Sequence, residues 1–519
     1  MEETKYVYKG AFALLLAGIF SKVISAFYRI PLQNLTGDVG FYIYQQVYPI
    51  LGIAFMLALY GFPAAISKYL AEHNKYRQHK AIYIQLFTTL MSVSIFIFLA
   101  IFLLSPVIAD WMGDIYLIDP IRHTAWVFLF VPFVALLRGG FQSLQCMQPT
   151  AYSQMIEQIV RAAIIILTAI FIYQGKISVY QIADGAVIAS IVALSTSFAF
   201  LYLYSKKHLK ISVVSQAPEI SLSNLFRSIV LAGIIISLNH MLLLLMQLAD
   251  AFTVVPGLLD YGHSLAEATS WKGIFDRGQP LIQLVTIVGS SFAMALVPQV
   301  TKMNWQMNRQ ETLEKIRLTT KICLLISIGA TVGLIVLMPE INQLFFKNEM
   351  GTMSLRILAV SLLFTSLSVT TASTLQGFGY MKWTAFVLFL GLWIKIGLNQ
   401  WFVPWLGIPG GAVATLITVC FIFIGNYVLL RNITGHTRIF VISWLKLILA
   451  SFLTAISLIA LKLASTYLLQ MDNRLVLFFF VIASVIIGFV VYAIVVIYGK
   501  IVSSKELALL PIPSKWKKG

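Results

Sequence analysis

From Gly10 onward, apolar runs of about 20 residues alternate with short polar breaks along the whole chain. A run of that length, wound as an α-helix, crosses the hydrocarbon core of a bilayer. Fourteen such spans are expected, at 10–31, 41–61, 81–104, 123–145, 151–173, 180–204, 227–249, 278–300, 317–338, 354–377, 382–404, 409–430, 441–466 and 474–498. A membrane barrel would instead show alternating segments of about ten residues. The fold class is therefore an all-α polytopic membrane protein.

The polar breaks carry a second pattern. Connections after even-numbered spans are basic: Lys68, Lys75, Arg77 and Lys80; Lys206, Lys207 and Lys210; Lys302, Arg309 and Lys315; Arg431 and Arg438; and Lys515, Lys517 and Lys518 in the tail. Connections after odd spans lean acidic, with Asp110, Asp114 and Asp119, then Asp250, Asp260 and Glu267, then Glu340 and Glu349. Basic loops stay in the cytoplasm, which places both termini there and agrees with an even number of spans. Ser67–Lys80 reads as an interfacial helix among lipid head groups. Lys5 and Lys9 precede the first apolar run as in a signal peptide. That run holds Lys22 and no small-x-small cleavage site follows, so it is expected to be retained.

Composition agrees. The 519 residues are 59% hydrophobic and 11% charged, with a mean hydropathy of +0.87. The net charge of +17 is spread over short loops, which the positive-inside rule explains without nucleic acid. Cys146, Cys323 and Cys420 have neither disulfide pairing nor metal-ligand spacing, and no metal, cofactor or catalytic group is expected.

An internal repeat organises the spans. Leu144-Gln145 and Leu375-Gln376 end spans four and ten. Arg161 and Lys395 lie within spans five and eleven. Gly185-Ala186-Val187 and Gly411-Ala412-Val413 open spans six and twelve, and prolines bracket spans two and eight. The near-constant offset predicts two six-helix lobes of like orientation, related by an axis along the membrane normal. The expected organisation is 1–205 as the amino-terminal lobe, 206–226 as a cytoplasmic linker and 227–432 as the carboxy-terminal lobe. Two further spans follow at 433–499, then a basic tail at 500–519.

Charges inside the spans are few and mostly positive. Lys22 and Arg29 lie two helical turns apart on one face of the first span, with no carboxylate within reach on their own helix. A cation at mid-membrane depth costs roughly 2.5–3.5 kcal/mol on insertion scales. Arg138, Arg161, Lys395 and Arg277 complete a set of candidate cavity cations, and Asp276 and Glu157 are candidate charge partners. Glu157 and Arg161, at i and i+4, are placed to pair. Such a cationic surface suits a phosphate or pyrophosphate group.

Three segments carry a family resemblance: KGAFALLLAGIFSKVISAFYRIPLQNLTGDVGFYIYQQVYPI from Lys9, YGFPAAISKYLAE from Tyr60 and FDRGQPLIQLVTIVGSSFAMALVPQVTK from Phe275. They resemble the multidrug/oligosaccharidyl-lipid/polysaccharide exporter superfamily, in its polysaccharide-transporter branch of SpoVB-, YtgP- and YabM-like proteins, related to MurJ-type lipid II flippases. The resemblance implies a V-shaped transporter of the bacterial plasma membrane that flips an undecaprenyl-pyrophosphate-linked glycan outward. It implies the bilayer and that glycolipid as partners, envelope-synthesis proteins nearby and a monomeric state. It also implies functional roles for Lys22, Arg29 and Arg277. The span-one spacing is seven residues rather than the MurJ-like six. Tyr42, Gly52 and Ile53 stand where the Gram-negative pattern of span two has a carboxylate and an arginine. Lipid II and another lipid-linked oligosaccharide therefore both stand as substrates. A membrane enzyme of envelope glycan assembly and a MATE-type drug exporter are the competing classes. The acids between Asp250 and Arg277, read as the longest outer loop, would serve the enzyme.

Overall fold

A computed structural model describes residues 2–73, 79–208, 222–287, 289, 308–468 and 473–502. Twelve helical stretches among them are long and apolar enough to cross a membrane. The first of these, Leu16–Glu72, is 57 residues long and covers two expected spans. Residues 288 and 290–300 of the eighth expected span lie outside the described residues, as do 209–221 of the linker and 503–519 of the tail. Polarity is inverted relative to a soluble protein. Phe489 is 71% exposed and Leu445 81% exposed, whereas Arg29, Arg138, Arg277 and Lys395 are fully buried. Apolar side chains facing outward toward lipid and polar ones satisfied within are what a bilayer demands.

The helices group into two compact units, one of residues 1–284 with 381–414 and one of residues 285–380 with 415–519. This grouping puts residues 227–284 and 381–414, which the repeat assigns to the carboxy-terminal lobe, in the first unit.

In the first unit, helix α1 (Glu2–Met56) is two arms joined at Gly37, whose φ of 72° falls in the left-handed region that favours glycine. The bend falls in the polar stretch between the two apolar runs, so the arms are the expected first and second spans. A π-helical turn (Leu57–Gly61) leads into α2 (Phe62–Glu72). At Gly61 a methyl group would sit 2.4 Å from the carbonyl oxygen of Gly233, so the two backbones meet through glycine alone. There follow α3 (Lys80–Trp111), α4 (Ile118–Phe128), α5 (Val131–Ser143), α6 (Gln148–Tyr173) and α7 (Gln181–His208).

The seventh span differs from expectation. The run Leu222–Leu238 ends in α8 (Ala232–Leu238), the chain breaks at Asn239–Met241, and α9 (Leu242–Asp260) follows. The expected boundaries, 227–249, straddle this break. Consequently the stretch Asp250–Arg277 is not a long outer loop. Asp250 lies inside α9, which continues to Asp260, and Leu265–Asp276 form α10. A capping box starts α10: the Ser264 hydroxyl accepts from the Glu267 amide, and the Ser264 amide donates to the Glu267 carboxylate at 2.9 Å. Those bonds hold the Glu267 carboxyl below its ordinary range.

The second unit holds α11 (Arg309–Phe346), α12 (Thr352–Gly377), α15 (Trp444–Leu468) and α16 (Arg474–Tyr498). Helix α13 (Met381–Leu406) belongs to the first unit, and α14 (Ile408–Ile433) continues from it into the second. Cys323, Leu324, Leu447, Ala450 and Tyr492 form the second unit's core, where the Tyr492 hydroxyl donates to the Leu325 carbonyl at 2.8 Å. Lys462 of α15 reaches an acid of α11. It pairs with Glu340 at 2.6 Å.

Candidate functional site

The bend at Gly37 presents Asp38, and α10 approaches it closely. A methyl group at Gly273 would lie 2.1 Å from the Asp38 carbonyl oxygen, so only glycine fits there. This contact brings Arg277, just past the end of α10, onto Asp38. Arg277 Nη2 donates to both carboxylate oxygens at 2.7 and 2.8 Å, and Nε donates at 3.1 Å. The Gln33 amide donates to the same carboxylate at 2.8 Å. One turn back, Lys272 Nζ lies 2.6 Å from both oxygens of Asp276. Gly273→Ala should therefore separate α10 from the bend. A loss of about 1–3 kcal/mol is expected for a side chain forced into filled space, read as a lowered thermal midpoint of the purified protein.

A second pair lies between α9 and α13. Lys395 Nζ is 2.8 Å from Asp250 Oδ1 and donates to the Gly411 carbonyl at 3.0 Å. Asn399 Nδ2 donates to Asp250 at 2.8 Å and to the Thr253 hydroxyl at 2.7 Å. Farther along the first unit, Glu157 of α6 takes two arginines. Arg138 Nη2 of α5 donates to it at 2.8 Å and Arg161 Nη2 at 2.5 Å. Arg138 also reaches the Ser153 hydroxyl at 3.0 Å and the Ala58 carbonyl at 3.3 Å, and the Arg161 guanidinium lies 3.5 Å from the Phe55 ring centroid.

Lys22 and Arg29 differ from the other four expected cations. Among the described residues neither has a carboxylate at ion-pair distance. Arg29 is fully buried, and its three guanidinium nitrogens lack a well-formed hydrogen-bond partner. It lies 4.2 Å over the Tyr48 ring and in the field of Tyr44 and Tyr28, whose hydroxyls bond to each other. A guanidinium over an aromatic face gains a cation–π attraction, which does not use its directed donors. Lys22 is partly accessible, beside His240 at the break in span seven. The His240 ring stacks on Tyr60 with centroids 4.4 Å apart.

The charges around the bend act on one another, since Asp276 lies in the fields of Lys272, Asp250 and Arg29. Asp38, Asp250 and Asp276 face Lys272, Arg277, Lys395 and Arg29, which leaves an excess of positive charge on the first helix. That excess can receive an anion, with a fork from Arg29 and a point charge from Lys22. Among the described residues no group of three or more His, Cys, Asp and Glu is arranged to hold a metal ion. Asp38 and Lys272 were not among the residues expected from the sequence, and Asp250 was expected only as a loop acid. Lys272 and Asp276, at i and i+4, were a signal available there.

The model of the family described as "Polysaccharide biosynthesis protein" matches residues 7–304. The chain is 40% identical over 415 residues to the uncharacterized membrane protein YabM of Bacillus subtilis (strain 168), covering 79% of this chain and 77% of that protein. It is 24% identical over 491 residues to the lipid II flippase MurJ of the same organism, covering 88% of each. A solved structure of a lipid II flippase MurJ, in an inward closed conformation, matches with a TM-score of 0.65 at 15% identity. It covers 93% of this chain and 98% of that chain, which shows a shared fold. This chain, a multi-pass helical membrane protein, belongs to the polysaccharide biosynthesis protein family.

Proposed function

We propose that this protein is a flippase that moves an undecaprenyl-pyrophosphate-linked glycan from the inner to the outer leaflet of the bacterial plasma membrane by alternating access. Lipid II or another envelope oligosaccharide precursor is the cargo, and both termini are cytoplasmic. Lys22 and Arg29 receive the pyrophosphate. The two six-helix lobes, 1–205 and 227–432, are the moving parts. The observation that carries this reading is the contrast among the six expected cavity cations. Arg138, Arg161, Arg277 and Lys395 are paired with carboxylates, while Lys22 and Arg29, on one helix face, are not. The MurJ relative, a lipid II flippase, supports the same substrate class. A cationic drug would favour unpaired carboxylates instead. Membrane potential, negative inside, favours outward movement of an anion by about 2.3 kcal/mol per charge per 100 mV.

The test uses proteoliposomes carrying a fluorescent polyprenyl-pyrophosphate glycolipid and a membrane-impermeant quencher. Without protein, the inner-leaflet pool stays protected. With protein, it is expected to become accessible. Protection that persists with lipid II and with other lipid-linked glycans overturns the flippase reading, and growth of the glycan chain points to the enzyme class.

A further inference from the structure

A cavity of about 730 Å³ opens on the first unit between α3 and the run Leu222–Leu238. Four membrane-length stretches, α3, α4–α5, α6 and α7, separate the starts of its two walls, so both walls enter from the same side of the bilayer. Both turn from polar to apolar in the chain direction. Thr88, Thr89 and Ser92 on α3 and Ser223 opposite line one end. Phe96, Ile97, Val230 and Ile234 line the other. The second wall is wound as a π-helix over Phe226–Leu231, a local widening frequent at functional sites.

The polar end has a defined hydrogen-bonding character. The hydroxyls of Thr88 and Thr89 donate to the Gln85 carbonyl at 3.0 and 2.9 Å, and that of Ser92 donates to the Thr88 carbonyl at 2.9 Å. With their protons committed, these oxygens offer acceptors. Arg227 lies outside the lining itself, next in sequence to the lining residue Phe226 and one helical turn beyond Ser223; it is exposed and has no ion pair among the described residues. The wall that turns apolar thus begins beside a cation and a row of acceptors.

We infer that this groove binds an anionic phospholipid whose head group carries hydroxyl donors, of the phosphatidylglycerol class. Its phosphate rests on Arg227, its head-group hydroxyls donate to the Thr88–Ser92 row, and an acyl chain lies along Phe96 and Ile234. Among the described residues next to the lining, Arg227 is one cation, which matches a phosphodiester, whereas a pyrophosphate would call for more than one. The groove uses none of the residues assigned to the pyrophosphate of the transported lipid, so this inference does not rest on the flippase reading.

The test places the full chain in nanodiscs of phosphatidylcholine doped with a photoactivatable phosphatidylglycerol carrying its diazirine midway along the acyl chain. Crosslinks are expected at Phe96, Ile97, Val230 or Ile234. Arg227→Ala should lower that labelling roughly tenfold, the loss of one charge-assisted contact, while Arg227→Lys retains most of it. Ser92→Trp, which fills the polar end, should abolish it. Labelling elsewhere on the wild-type protein serves as the control for folding of each variant. Equal labelling of the groove by a phosphatidylcholine probe, or labelling indifferent to both Arg227→Ala and Ser92→Trp, overturns the inference. So does preferential labelling by a polyprenyl-pyrophosphate probe, which would make the groove a carrier-lipid site.

Discussion

Lys22→Met combined with Arg29→Met should abolish lipid-linked glycan translocation while leaving the protein as stable as the parent. Each cation is expected to make charge-assisted hydrogen bonds to the pyrophosphate. At about 1.5–3 kcal/mol per lost contact to a charged group, the pair accounts for roughly a 10²- to 10⁴-fold fall in transport. The stability side follows from what surrounds them. Arg29 is fully buried with its donors unmatched, and Lys22 has no carboxylate partner, so removing either leaves no orphaned counter-charge. An apolar side chain of similar volume in place of a buried charge is often neutral or stabilising. Methionine keeps the packing volume that alanine would forfeit. The single variants separate the roles. Arg29→Lys keeps charge and loses the fork, so it should transport poorly, whereas Lys22→Arg should transport well. The checks are headgroup accessibility in proteoliposomes and the thermal midpoint of purified protein. Translocation at the parental rate in the double variant would remove these two residues from the substrate path. A collapse in thermal stability would make them structural.

That pairing of tests rests on a distinction half visible in the sequence. The all-helical membrane class was legible because apolar run length alone decides what crosses a bilayer, while the described residues hold twelve membrane-length stretches beside the fourteen spans expected. Lys22 and Arg29 stood out because their own helix offers no carboxylate one turn away, and the Glu157–Arg161 pair was legible for the converse reason. Longer-range pairs had no such signature. Arg277 and Asp38 are 239 residues apart, and Arg138 and Glu157 lie on different helices, so local spacing is silent about both. Asp250 was hidden differently. The polar break at Asn239–Met241 was absorbed into a span placed too early, so the acid fell into a supposed loop and lost its connection to Lys395. The break itself costs backbone hydrogen bonds inside an apolar segment, and it sets His240 beside Lys22.

Glu157→Gln should be the most destabilising single substitution among the charged residues of the first unit. The carboxylate is the shared partner of Arg138 at 2.8 Å and Arg161 at 2.5 Å, and the side chains are at most 8% exposed. Removing one member of a buried ion pair costs about 3–5 kcal/mol because the remaining charge is left uncompensated. Here two guanidiniums are left, and an amide offers one acceptor oxygen for both. With the three side chains at most 8% exposed, bulk water has little access to replace the lost carboxylate. Arg138 keeps its bonds to Ser153 and Ala58, and Arg161 keeps Gln158 and the Phe55 ring, so the loss should stop short of complete unfolding. The compensating variant decides the cause. Glu157→Leu with Arg138→Met and Arg161→Met removes all three charges together and should recover most of the lost thermal midpoint. The folded fraction of Glu157→Gln, recovered by size exclusion, should translocate at close to the parental rate per molecule. Parental stability in Glu157→Gln, with translocation lost, would reverse the assignment and return Arg138 and Arg161 to the substrate-binding set.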